Sequence, residues 1–234
     1  MTFAEKAISF FRNLEFTGRL PKGIHIMNPF RENAEIIPLI SLFFRKFYND
    51  EQHRHLILGI NPGRFGAGST GIPFTDTIRL SEKCGLTLPG TKTFETSSAF
   101  IYEMIDAYGG TEKFYSDFYI SAISPLGFTR EGKLKQVNYN YYDSRELTKA
   151  VSGFIRKTLE DQLEFGIERD ACFCLGTGKN YKFLQEMNEK EGYFAKIVPL
   201  EHPRFIMQYK SKQKQDYIRK YVEEFRKVID KRNS

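Results

Sequence analysis

Apolar residues recur along the chain in two rhythms, and the switches between them predict the elements. Phe3, Ala7, Phe10, Phe11 and Leu14 repeat at helical spacing, which predicts a first helix ending before Gly18. The stretch IHIMNPF at 24–30 reads as extended chain. Arg31 to Phe47 returns to the helical period, with Ile36, Ile37, Leu39, Ile40, Phe43, Phe44 and Phe47 on it and Pro38 near its start. Leu56 to Ile60 is a short apolar run of the kind that parallel sheets bury. Ser97 to Ala107 predicts a helix and Asp117 to Ser124 a second strand. Ser144 to Phe165 predicts a long helix carrying Leu147, Val151, Phe154, Ile155 and Leu159. Cys172 to Leu175 then makes a third strand, Asn180 to Met187 a helix, Ala195 to Leu200 a fourth strand, and Asp216 to Ile229 a closing helix.

Strands separated by helices imply an α/β fold with a parallel sheet covered on both faces. The pattern contains no internal repeat, low-complexity tract or linker, so residues 1–234 are expected to form one domain. Ligands of such sheets sit beyond the carboxyl ends of the strands. Two loops there carry chemistry: GINPGRFGAGSTGIPF at 59–74, and EHPRFIMQYK at 201–210.

The first of these contains Gly66-Ala67-Gly68-Ser69-Thr70-Gly71, a formal G-x-G-x-x-G. A dinucleotide loop needs its first glycine at the strand end and a helix starting at the third. Here the strand ends near Ile60, and Ile72-Pro73 follows Gly71, where the residue before proline avoids helix. A nicotinamide cofactor is therefore not expected. A nucleophile elbow fails too, because Ala67-Gly68-Ser69-Thr70-Gly71 lacks the first glycine and the strand–turn–helix setting. There is also no G-x-x-x-x-G-K-[ST] phosphate loop.

Composition narrows the classes further. Aromatic residues make up 15%, with 22 Phe and 13 Tyr, which is enough to build a core and argues against disorder. No apolar run reaches the roughly 20 residues of a membrane span, and the N-terminus lacks a signal peptide's charged-then-apolar order. A soluble, cytoplasmic protein is expected, with no membrane partner. Cys84, Cys172 and Cys174 cannot supply an iron–sulfur cluster, and the last two alternate on a strand that would bury them. His53 and His55 flank Arg54 without further ligands nearby, so no metal site is expected. The net charge of +6 suits a partner carrying negative charge.

At this point the residues resemble a known family. Gly59-Ile60-Asn61-Pro62-Gly63, then Phe65-Gly66, then Thr70-Gly71-Ile72-Pro73-Phe74 look like the first motif of the uracil-DNA glycosylase superfamily, in its single-strand-selective monofunctional branch. The spacing from the asparagine to the last phenylalanine is the same. His202-Pro203 is similar to the second motif, and the chain resembles a divergent bacterial-type member. The resemblance implies a three-layer α/β/α fold with a short, mostly parallel four-stranded sheet. It implies a monomeric enzyme that removes uracil, or other deaminated or 5-modified bases, from DNA during base excision repair. No cofactor or metal would be needed.

The family chemistry gives each residue a job. Cleaving an N-glycosidic bond builds oxocarbenium character on the sugar and negative charge on the departing base, so a site needs a held water and donors for the base. The resemblance assigns Asn61 to orient the water, since an amide is no base near neutrality. It assigns His202 to donate a hydrogen bond to uracil O2. Ile60 and Gly63 would lie against the base, with Gly63 leaving room for a 5-substituent, and Phe74 would stack on the flipped base. Arg204 follows His-Pro directly, without the Ser-Pro of the family's longer loop, so both a duplex wedge and a phosphate contact stay open for it. Lys210, Lys212 and Lys214, with Arg219 and Lys220, form either a backbone-phosphate contact or a solvated helix start.

One departure concerns base readout. Family members carry an asparagine at the end of the second strand, and register against Ser124-Pro125-Leu126 puts Ala122 there. Alternation places Ser124 on the same face, making it the expected substitute, with Asn138, Asn140 and Thr129 as rivals. An alternative to the glycosylase is a nucleic-acid-binding module of the same fold with a dead site. Asn61 and His202 argue against it, because binding alone needs neither.

Overall fold

The computed structural model describes residues 1–132 and 135–232. Its elements, in chain order, begin with α1 (Phe3–Asn13), β1 (Ile24–Met27), α2 (Pro29–Glu32), α3 (Ile36–Phe47) and β2 (Arg54–Gly59). The middle of the chain forms α4 (Ala67–Thr70), α5 (Thr77–Cys84), α6 (Thr96–Tyr108), α7 (Thr111–Asp117), β3 (Phe118–Ala122), β4 (Gly127–Glu131) and β5 (Gln136–Tyr139). It closes with α8 (Arg145–Leu163), β6 (Ile167–Leu175), α9 (Lys179–Glu191), β7 (Ile197–Leu200), α10 (Pro203–Tyr209) and α11 (Lys214–Arg232).

The four strands expected from the sequence form one sheet in the order β3-β2-β6-β7, and every neighbouring pair is parallel. β2 lies inside the sheet and every one of its residues is buried. Side-chain alternation on β3 makes the layers visible. Tyr119 points to one face, where its ring meets Phe3, Phe44, Tyr48 and Phe165. Phe118 points to the other and meets Tyr108, Phe114, Phe173 and Phe225. One layer is thus contributed by α1 and α3 and the other by α6, α7 and α11, which is the α/β/α sandwich. The many phenylalanines are spent here, as edge-on and tilted pairs on both faces of the sheet. Cys172 and Cys174 are free thiols buried on β6, as their alternation predicts.

At the amino-terminal edge, Arg54 is fully buried and is clamped by charge. Its guanidinium makes two 2.8 Å bonds to Asp50 and one of 2.7 Å to the Tyr115 carbonyl, and it stacks on Phe3 and Tyr48. The Asp50 carboxyl is held below its usual range, chiefly by its hydrogen bond to Arg54. Such pairing is what lets an arginine start a buried strand.

The structure departs from the sequence pattern in three places. A second, antiparallel sheet of order β1-β4-β5 forms from the extended stretch at 24–27 and two strands that follow β3. The expected helix over Arg31 to Phe47 is two helices, because Asn33 and the residues after it break it, and the long piece begins only at Ile36. The helices α4, α5, α7 and α10 were not expected; each is short, four to eight residues, and too brief to show a period.

Candidate active site

The loop after β2 and the turn after β7 open into one cavity of about 310 Å³ beyond the carboxyl ends of the parallel strands. Asn61, Ile60, Gly63, Phe74, His202 and Arg204 all line it. The two loops singled out by sequence are therefore brought together, 141 positions apart from Asn61 to His202.

Asn61 is held from both ends of its amide. Its Oδ1 accepts the Tyr141 N–H at 3.1 Å, and its Nδ2 donates to the carbonyls of Tyr139 and Pro62, each at 3.3 Å. The grip comes from the chain leaving β5, which belongs to the sheet that the sequence pattern did not show. An amide oxygen has two lone pairs, so one remains for a water.

His202 caps α10. Its Nδ1 accepts the Arg204 backbone N–H at 3.1 Å, and Pro203 occupies the first helical turn, where no donor is needed. With Nδ1 an acceptor, the neutral ring carries its proton on Nε2. Burial, helped by the neighbouring Arg204 charge, pushes the imidazole down to about 4. His202 is therefore a neutral donor at ordinary pH.

Phe74 is, among the described residues, the non-glycine residue at positive φ (+52°). That backbone costs an L-residue about 1–2 kcal/mol and is tolerated where surroundings impose it. The imposed result is a ring laid over Gly59, where a β-carbon would come within 2.7 Å of it, with its centroid 5.8 Å from that of His202.

The base-reading expectation for Ser124 needs correction. Ser124 is fully buried, does not line the cavity, and its hydroxyl donates to the Leu126 carbonyl at 2.8 Å. The strand β3 ends at Ala122, and beyond it the chain turns, so strict alternation does not carry Ser124 onto the cavity face. Thr129 is also buried away from the cavity, whereas Asn138 and Asn140 line it. Accordingly, Ser124→Ala should lower stability by about 1–3 kcal/mol, by stranding the Leu126 carbonyl. It should leave the ratio of rates on different bases unchanged, as thermal unfolding and parallel excision assays would report.

Three features were missed by sequence reasoning. Glu95, at the start of α6, also lines the cavity. Phe205 and Tyr209 stand exposed on α10 at its mouth with ring centroids 5.5 Å apart, and Arg204 and Gln208 lie beside them. Phe65 is exposed on the opposite loop under the Arg64 guanidinium. Lys210 and Lys212 are exposed just past α10, and Lys214 is paired to Glu103. Among the described residues, no three His, Cys, Asp or Glu side chains gather to hold a metal ion, and no helix is long and apolar enough to cross a membrane.

A histidine, a clamped asparagine and a phenylalanine thus wall one cavity at the carboxyl edge of the sheet in a three-layer α/β/α fold. The chain belongs to the uracil DNA glycosylase superfamily, whose sequence profile matches residues 45–226. Among solved structures it is similar to SMUG2 of Pedobacter heparinus, with 54% identity and a TM-score of 0.96 over 98% of this chain and 99% of that one. No curated protein was found to match.

Proposed function

We propose that this glycosylase hydrolyses the N-glycosidic bond of uracil in DNA, and of related deaminated or 5-modified bases, as the first step of base excision repair. The observation that carries the reading is the meeting of Asn61, Phe74 and His202 in one cavity, each fixed by contacts that leave its functional atom free.

The target nucleotide leaves the stack and its base enters the cavity against Phe74. The bond from C1′ to the base nitrogen breaks, and its electron pair departs with the base. Negative charge collects on the base oxygen that faces His202, where the Nε2–H donor strengthens its bond as charge grows. A water held by the open lone pair of Asn61 adds through its oxygen to C1′ and gives up a proton to solvent or to the departing base. The products are free base and an abasic sugar in an unbroken strand.

Arg204, with Lys210 and Lys212 beyond it, would meet phosphates, and the exposed rings of Phe205, Tyr209 and Phe65 offer apolar faces to the bases flanking the gap. The chain would act as a monomer on DNA.

The test is incubation with uracil-containing single- and double-stranded oligonucleotides followed by alkaline strand scission, with and without EDTA. Scission at the uracil that survives chelation is the expected result. Loss of scission in EDTA, restored by a divalent ion, would contradict this mechanism.

A further inference from the structure

The cavity holds one carboxyl whose oxygens accept no hydrogen bond from any described residue, that of Glu95. Its main chain is pinned. The Glu95 N–H donates to Asp76 Oδ2 at 2.8 Å, and its carbonyl accepts from Ala99 at 3.2 Å to begin α6. Asp76 is itself fully buried and caps α5 through the Arg79 N–H at 2.9 Å. From this fixed origin the side chain turns back over the glycine loop. A β-carbon on Gly66 would overlap one Glu95 oxygen, and one on Gly63 would come within 2.9 Å of the other. The space that Gly63 leaves is thus bordered by an acid, with Asn138 Nδ2 only 3.4 Å from the same point.

We propose that Glu95 is the base-reading residue of this cavity: its carboxylic acid presents an O–H donor and a C=O acceptor side by side, the pair an amide would offer, to the edge of the bound base. The proposal rests on the cavity's being the base pocket. The other candidates are each partly engaged or lie outside the cavity. Asn138 Oδ1 accepts the Arg64 N–H at 3.3 Å, Asn140 bonds to Asp143 through both its backbone and its side chain, and Ser124 lies outside the cavity.

Burial first, and then the Asp76 carboxylate, favour the acid form of Glu95. Asp76 stands behind it, with Arg79 bound to Asp76 at 3.3 Å, while Arg204 and the neutral His202 line the same cavity. Burial and the Asp76 charge raise the carboxyl to about 7, against the pull of Arg204. Below that pH the acid supplies both donor and acceptor. Above it the carboxylate has acceptors only and repels a base that is turning anionic. Glutamine keeps the donor–acceptor pair without titrating.

Single-turnover excision of uracil from a single-stranded oligonucleotide by wild type, Glu95→Gln and Glu95→Leu, across pH 6 to 9 or about that span, tests the proposal. The wild-type rate should fall as pH rises through the neutral range. Glu95→Gln should keep the low-pH rate and lose the fall. Glu95→Leu should be slower by roughly ten- to a hundredfold at every pH, with DNA affinity and melting temperature near those of wild type. A Glu95→Leu protein with the wild-type rate and pH profile would overturn the proposal. So would a folded Glu95→Gln protein as slow as Glu95→Leu. If wild type excises no base at all, the glycosylase reading falls with it; if wild type is active and both variants match it, this inference falls alone.

Discussion

Asn61→Ala is expected to reduce single-turnover base excision by a factor of about a thousand or more, while binding of uracil-containing DNA stays close to wild type. In the proposed mechanism the side chain fixes where the water stands, and that matters only at the chemical step. The structure adds a second consequence. The amide also ties the β2 loop to the Tyr139–Tyr141 segment, and its loss leaves the Tyr141 N–H without its partner. A stability loss of about 1–3 kcal/mol should accompany the loss of rate. Excision measured with enzyme in excess, well below the melting temperature, separates the two. Near-normal excision by the folded variant would remove Asn61 from the mechanism.

His202→Ala is expected to slow the chemical step by roughly a hundred- to a thousandfold, the usual effect of losing one donor to a developing anion. The pH dependence carries a sign. Because the imidazole is held down to about 4, the neutral Nε2–H donor is fully present at neutral pH and is converted to imidazolium only as pH falls through that value. The His202 contribution should therefore be constant through the range in which an ordinary histidine titrates. A wild-type rate that changes with a midpoint near 6.5, and loses that midpoint in His202→Ala, would show instead that the ring titrates like a free imidazole.

The two rhythms of apolar residues were sufficient for the central sheet. β2, β3 and the Ala171–Leu175 end of β6 are apolar runs buried on both faces, β7 is a short apolar edge strand, and long amphipathic helices such as α8 and α11 announce themselves by period. The second sheet was not legible for a physical reason. β5 alternates between exposed and half-buried positions in a polar sequence, QVNY, and is stabilised by pairing with β4 rather than by burying apolar surface. Asn61 and His202 could be named from the motif, yet their orientation could not, because it is set by backbone groups of Tyr141 and Arg204. Glu95 had no signal at all. It reads as an ordinary acidic residue at a helix start, and only the folding of α6 against Asp76 and the glycine loop turns it into the cavity. Ser124 failed for the opposite reason, since alternation was extended two residues past the end of a strand that stops at Ala122.

The central claim is that this cavity releases an intact base from DNA by hydrolysis and leaves the strand whole. It is tested most directly by mass measurement of both products after reaction of excess wild-type protein with a single-stranded oligonucleotide carrying one uracil. Free uracil is expected in solution, with an oligonucleotide of unbroken length that has lost the base and gained the elements of water. An unchanged oligonucleotide, or a strand already broken before alkali is added, would contradict it.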